Sequence, residues 1–303
     1  MKGIVLAGGS GSRLYPMTAA VTKQLLPIYD KPMIYYPIAT LMLAGVRDIL
    51  LITTPKDMER YVDLLGDGAR WGLNIQYAAQ REPNGIAQAY VIGRDFVGNA
   101  PSALILGDNL FFGNGLSERL THAAGIRRGA HIFACRVEDP ERYGVIELDP
   151  SGQPLAIVEK PRAPKSNWAV TGLYFYDRRA PELVRELKPS ARGELEISDL
   201  NALYLRAGEL SVERLGRGFA WLDTGTPDSL IAAGQFVCTL ETRQGMKIAC
   251  LEEIALAQGF IDSDAFARLA AAAPPNFYGR YLKAFLADLE VAGRPPPLRA
   301  VVA

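Results

Sequence analysis

Lys2-Gly3-Ile4-Val5-Leu6-Ala7 runs without interruption into Gly8-Gly9-Ser10-Gly11-Ser12-Arg13-Leu14. The opening run is apolar enough for a strand buried on both faces, as in parallel sheets. The glycines that follow let the backbone turn sharply and bring N–H groups close to an anion. Arg13 adds a rigid donor fork suited to phosphate. Spacing excludes two familiar glycine motifs. A dinucleotide fingerprint would need glycine where Leu14 stands, and no GxxxxGK followed by Ser or Thr occurs. Taken alone, these residues also allow a tight turn with no ligand.

The strand-then-loop pattern repeats along the first half. Residues 47–53, 73–79, 102–107 and 130–136 read as further buried strands, bounded by Gly, Pro or Asn. Helical patterns lie between them over 33–44, 57–65 and 85–97, the first placing Met33, Ile34, Ile38, Leu41 and Met42 on one face. Such alternation predicts a three-layer α/β fold with a mostly parallel sheet, ligands gathering at the carboxyl ends of its strands. Beyond residue 140, strands are expected over 143–148, 155–160, 168–177, 209–215 and 219–222. Helices are expected near 179–187, 196–207 and 227–242. This half is expected to extend the same sheet and wall one side of a cleft. The division that follows is a catalytic unit over 1–243, with a nucleotide half to about 135 and a sugar-phosphate half from 136. A helical segment over 244–290 and a fraying tail over 291–303 complete it.

Lys plus Arg and Asp plus Glu number 33 each in 303 residues. The resulting zero net charge argues against a general nucleic-acid binder. No apolar run is long enough for a signal peptide or a membrane span, so no membrane partner is expected. Cys135, Cys238 and Cys250 are odd in number and form no CxxC pair. Reduced thiols in a cytoplasmic protein, without structural zinc, are the expectation. His122 and His131 lack a catalytic setting and read as structural.

Lys23-Gln24-Leu25-Leu26-Pro27 follows the glycine loop, and Asp30-Lys31-Pro32-Met33-Ile34 opens a helix. Together with TLMLAGVRDILLIT (40–53), AAQREPNGIAQA (78–89), LILGDNLFFG (104–113), YGVIELD (143–149), VEKP (158–161), TGLYFYD (171–177), RGELEISDLN (192–201) and WLDTGTPDSL (221–230), these segments resemble the sugar-nucleotide pyrophosphorylases. The likeness keeps the family's motif order over about 260 residues and is nearest the branch that joins dTTP to glucose 1-phosphate. It implies a Rossmann-like nucleotide-diphospho-sugar transferase fold and Mg2+-dependent nucleotidyl transfer. It also implies a homotetramer with a second, feedback nucleotide-sugar site. The apolar content of 33–43 and of the carboxyl helices is compatible with subunit contacts.

By this resemblance, Gly8, Gly11, Ser12 and Arg13 hold the triphosphate, joined by Lys23 and Gln24. Gln80 and Gly85 read the pyrimidine edge. Asp108 and Asp223 bind the metal, and with Arg13 and Lys23 they form the catalytic set. Tyr143, Gly144, Glu159, Lys160 and Val170 form the sugar-phosphate pocket, and Arg192 reaches the same phosphate. Ser12 and Ser198 stand where the family usually has threonine, and both keep the hydroxyl. From their own neighbourhoods, Asp108 could instead cap a turn and Asp223 the helix near Pro227. Glu159-Lys160 could be an exposed pair.

The implied chemistry needs no general base, because the second pKa of a phosphate monoester is about 6 and the attacking oxygen is already ionised. Positioning and charge neutralisation at the α-phosphorus are what the protein must supply. UTP in place of dTTP is one alternative, and a silent regulatory relative is another. The latter should lack one of Arg13, Lys23, Asp108 or Asp223, and all four are present. A nicotinamide-dependent oxidoreductase is disfavoured by the missing third glycine.

Overall fold

The computed structural model describes residues 1–9 and 11–292. β1 (Lys2–Leu6) lies at the centre of a nine-stranded sheet because both its faces are apolar. Ile4 faces one hydrophobic layer and Val5 the other, following the two-residue period of a strand. Two antiparallel residues each form β2 (Pro27–Ile28) and β3 (Lys31–Pro32), a small hairpin outside the sheet. Then come α1 (Tyr35–Leu43), β4 (Asp48–Thr53), α2 (Met58–Leu65) and β5 (Asn74–Ala79). β1, β4 and β5 pair in parallel.

The helix expected over 85–97 is two short ones, α3 (Gln88–Ile92) and α4 (Arg94–Val97), broken at Gly93. A side chain at that position would press on Leu50 and Ile4, so glycine lets the break sit close to the sheet. β6 (Ser102–Leu106) pairs in parallel with β1. Directly after it lies a strand that no sequence pattern announced, β7 (Asn109–Gly113). α5 (Leu116–Ala124) and β8 (Ala130–Arg136) follow.

The second half supplies β9 (Gly144–Leu148), β10 (Pro154–Glu159) and the antiparallel β11 (Trp168–Tyr176). β11 is shared: Leu173–Tyr176 pair with β6, whereas Ala169 pairs with β9. The sheet therefore forks where β6 ends, and a cleft opens at its carboxyl end. α6 (Ala180–Val184), α7 (Ile197–Arg206) and β12 (Leu210–Leu215) complete this side, with β12 parallel to β8. β13 (Phe219–Asp223) does not extend the main sheet as expected. It pairs antiparallel with β7 in a separate two-stranded ribbon across the cleft mouth.

α8 (Pro227–Gln244) begins with a capping box, Thr226 and Ser229 each serving the other's backbone N–H. The carboxyl segment is α9 (Leu251–Ala257), α10 (Ser263–Ala272) and α11 (Phe277–Ala292). The one-sided face expected for α1 is corrected by α9, which packs on its outer side. Residues 36–43 are all buried, so the apolar content there is used within the chain. Apart from residues 291 and 292, which end α11, the tail expected over 291–303 lies outside the described residues. Among those residues, no helix is long and apolar enough to cross a membrane.

Candidate functional site

The glycine loop leaves β1 at the carboxyl end of the sheet. Gly11 adopts φ +57°, a left-handed conformation that starts a 3₁₀ turn over Ser12–Leu14. Thr18 Oγ1 donates to the Gly11 carbonyl at 2.9 Å, and Leu14 is fully buried, so the turn is anchored at both ends. Arg13 projects beside Gly225, where a Cβ would come within 3.3 Å of its guanidinium. A cavity of about 250 Å³ is lined by Gly8, Gly9, Gly11, Ser12, Arg13, Lys23, Gln24 and Asp108, among others.

Lys23 and Gln24 enter this cavity from a second 3₁₀ turn, Lys23–Leu25. Its carboxyl side is tied to the segment before α1, as Ile34 N–H donates to the Gln24 carbonyl and Met33 N–H to Leu26. Lys23 is buried, and its Nζ lies 2.5 Å from Asp108 Oδ2. Gln24 Oε1 accepts from Thr22 Oγ1 at 3.0 Å. Gln80 is buried against the loop: a Cβ on Gly8 would meet its Oε1 at 2.7 Å, and its Nε2 donates to Gln88 Oε1. Gly85, at φ +100°, packs on the backbone of Leu195.

The unannounced ribbon brings the two carboxylates together. Its register sets Asp223 opposite Asn109, the residue next to Asp108. Asn109 fixes the arrangement. Its Oδ1 accepts from Trp221 Nε1 at 2.5 Å and from Gly172 N–H at 3.3 Å, and its Nδ2 donates to Asp108 Oδ1 at 2.8 Å. Thr224 Oγ1 donates to the Asp108 carbonyl at 2.9 Å. The helix cap beyond is made by Thr226, so Asp223 is not spent on capping. Burial raises the Asp223 carboxyl above its ordinary range. Asp108 adds to that, while Arg142 and Tyr143 pull the other way.

On the far side of Arg13 and Asp108 lies a larger cavity of about 440 Å³. Tyr143, Gly144, Glu159, Lys160 and Val170 all line it, together with Asp223. Gly144 is closely approached: a Cβ would meet Ser198 Oγ at 2.9 Å and Glu159 Oε2 at 3.2 Å. Those two groups are themselves bonded, Ser198 Oγ donating at 2.5 Å. Lys160 takes φ +43°, strained for a side-chain-bearing residue, and its N–H donates to the Tyr143 carbonyl at 2.9 Å. The Tyr143 ring meets Trp221 edge-on at 5.1 Å.

Arg192 is not among the lining residues. Its Nη2 lies 2.8 Å from both carboxylate oxygens of Glu196, with Glu159 Oε1 at 3.7 Å. Gln80 and Gly85 likewise stand behind the lining. The sequence reading missed Arg142, Asn109, Trp221, Ile86, Tyr174 and Ile197, which do line the larger cavity. Arg142 adjoins the Tyr143-Gly144 motif, and that adjacency was the available signal. The histidines lie elsewhere. His131 is buried between β12 and α5, its pKa lowered to about 4 by burial and by His122. The lining of both cavities contains no imidazole.

The two cavities meet at Arg13 and Asp108, the smaller lined mainly by glycine backbone with Arg13 and Lys23, the larger by carboxylates, cations, a hydroxyl and aromatic rings. A profile described as nucleotidyl transferase matches residues 2–239. Glucose-1-phosphate thymidylyltransferase of Xanthomonas campestris pv. campestris is 60% identical over 283 residues, covering 93% of this chain and 96% of that one. The protein of that name from Mycobacterium tuberculosis is 55% identical over 282 residues, 93% of this chain and 98% of the relative. Among solved structures, UDP-glucose pyrophosphorylase complexed with UDP-glucose superposes with a TM-score of 0.67. It is 26% identical, over 78% of this chain and 98% of that one. On fold, site and sequence together, the chain belongs to the nucleotidyl transferase family.

Proposed function

We propose that this enzyme transfers a deoxythymidylyl group from dTTP to α-D-glucose 1-phosphate, giving dTDP-glucose and pyrophosphate. The observation that carries the reading is the meeting of the two cavities at Arg13 and Asp108. A triphosphate fits the cradle of glycine amides, Arg13 and Lys23. A sugar phosphate fits the neighbouring pocket, where Glu159 and Ser198 offer hydroxyl partners and Lys160 offers charge. The reacting phosphates then face each other at the junction. The names of the relatives support the choice of nucleotide and sugar.

Asp108 and Asp223 would hold a divalent cation, and we take it to be Mg2+. They offer hard oxygen donors. Among the described residues no cluster of three or more His, Cys, Asp or Glu could hold a metal ion. Two carboxylates suit a cation that completes its shell with phosphate oxygens and water. Lining side chains supply four cations, Arg13, Lys23, Arg142 and Lys160, against three carboxylates, Asp108, Glu159 and Asp223. That small excess cannot balance a triphosphate and a sugar phosphate together. The bound cation would supply part of the missing positive charge. Arg13 holds the leaving pyrophosphate and Lys23 steadies charge at the α-phosphate. No general base is invoked, which suits a site without imidazole. Gln80 and Gly85 shape the wall for the pyrimidine, and Arg192 acts on the sugar-phosphate side through Glu159 and Glu196. The cytoplasm as compartment and a homotetramer as assembly follow from the family resemblance.

The test is pyrophosphate release from glucose 1-phosphate with Mg2+, supplying dTTP and UTP separately. Preference for dTTP, lost on chelation, supports the reading. Preference for UTP keeps the mechanism and changes the substrate. Silence with every triphosphate and several sugar phosphates favours a binding protein.

A further inference from the structure

Arg142 is a cation of the site to which the mechanism above gives no task. It ends a 3₁₀ turn, Pro140–Arg142, lines the larger cavity, and lies over the Tyr143 ring at 5.3 Å. Its two arms are bound unequally. Nη1 donates to Asp139 Oδ2 at 2.6 Å, a bond made within the turn itself. Nη2 reaches Asp223 Oδ2 across 81 residues at 3.3 Å. The first bond is a tether that sits outside the cavity lining. The second is longer and occupies one of the two oxygens that Asp223 can offer a divalent cation.

Asp108 has a comparable partner in Lys23, but the two differ in freedom. The Lys23 side chain is only 8% exposed, whereas that of Arg142 is 37% exposed. A guanidinium and a divalent cation repel each other across one carboxylate, so they do not share Asp223 comfortably. Arg142 can leave Asp223 without leaving the cavity, because Asp139 still holds its other arm.

We propose that Arg142 is a positioning residue that neutralises Asp223 before the divalent cation arrives and then serves the phosphate of the sugar substrate. The proposal rests on the functional reading above. Its consequence is coupling between ligands. A sugar phosphate draws the guanidinium off Asp223 and opens that oxygen to the cation, and by linkage the cation favours the sugar phosphate equally.

The experiment measures Mn2+ binding by water-proton relaxation in the full chain, with and without saturating glucose 1-phosphate, for wild type, R142Q and R142K. Without the sugar phosphate, R142Q should bind Mn2+ up to about five-fold more tightly than wild type, the strength of a part-exposed ion pair. With it, the two should bind Mn2+ alike, because the wild-type guanidinium has already moved. R142Q should bind glucose 1-phosphate about ten-fold more weakly, with part of the loss restored in R142K. If the guanidinium acted only at a distance, its removal in R142Q would raise Mn2+ affinity equally in both conditions. That result, or no rise at all, overturns the proposal while leaving the catalysed reaction in place. Failure of the wild type to bind either Mn2+ or glucose 1-phosphate overturns the functional reading as well.

Discussion

Two groups of paired opposite charges in this molecule, each of two cations and two carboxylates, behave differently. At the cleft, Lys23 sits on Asp108 and Arg142 on Asp223, and the carboxylate side chains are each 25% exposed. Behind it, Asp30, Lys31, Glu241 and Lys247 close a ring between the β2–β3 hairpin and the end of α8. Lys31 Nζ lies 2.5 Å from Asp30 Oδ1 and 2.9 Å from Glu241 Oε1. Lys247 Nζ contacts Glu241 Oε2 at 2.5 Å and also pairs with Asp30. The side chains of Lys31, Glu241 and Lys247 are no more than 3% exposed. Ile248 N–H donates a further bond to Glu241. Burial works against ionisation of Asp30, yet the two lysines hold its carboxyl below the ordinary range. The ring is charge-balanced and closed, so it fixes the chain. The cleft pairs keep an open side toward the cavities, so they can exchange partners with ligands.

The contrast can be broken from either end. The largest effect is expected at the open pairs: Asp223→Asn or Asp108→Asn should lower turnover by about a thousand-fold or more. Thermal unfolding should change little in Asp223→Asn, and near-normal pyrophosphate release from either variant would remove these residues from the proposed metal site. In the closed ring the consequence moves to stability. Lys31→Met leaves buried carboxylates short of a partner and should cost about 3–5 kcal/mol in denaturant unfolding. The KM of the folded fraction should be unchanged, and a stable variant with altered KM would mean the ring serves ligands after all.

Glu253 sharpens the comparison because it is a buried carboxyl with no cation partner among the described residues. Burial raises its pKa to about 7 from an ordinary 4.5, and Tyr281 OH donates to it at 2.5 Å, opposing that rise. A raised native pKa means the protonated form is preferred in the fold. Its contribution is full below pH 4.5 and is lost as pH rises through about 7. The size is about 3 kcal/mol at most. Melting temperature against pH should therefore decline across that window in wild type and decline less in Glu253→Gln. Parallel curves would show that the carboxyl does not titrate there. The smallest effect is expected at the cap next to Asp223: Thr226→Ala should destabilise by about 1 kcal/mol. Turnover should stay near normal, since Thr226 caps α8 rather than lining either cavity.

Much of the fold was legible because its central strands are apolar on both faces and its breaks carry Gly, Pro or Asn. The glycine loop was legible for the same reason, a buried strand ending in glycines and Arg13. β7 was missed because Asn109–Gly113 directly follows β6, and the two read as one apolar segment interrupted by Gly107-Asp108. Arg142 was passed over because the motif beside it begins only at Tyr143, and Asp223 meets it only across the fold. Arg192 was expected at the phosphate, but three acidic groups hold it: Glu159, Glu194 and Glu196.

By itself, the sequence determined the layered α/β architecture, the glycine-rich loop after the first strand and, through the order of its motifs, the family. These depend on local periodicity and on residue types whose meaning does not change with context. Only the tertiary structure decided that the sheet forks at the end of β6, and that β13 crosses to β7 and carries Asp223 to Asp108. It also decided that the cleft pairs stay open while the ring at Glu241 closes. Those outcomes depend on which distant segments meet and how much water they exclude, and the strength of a charge pair follows from that exclusion.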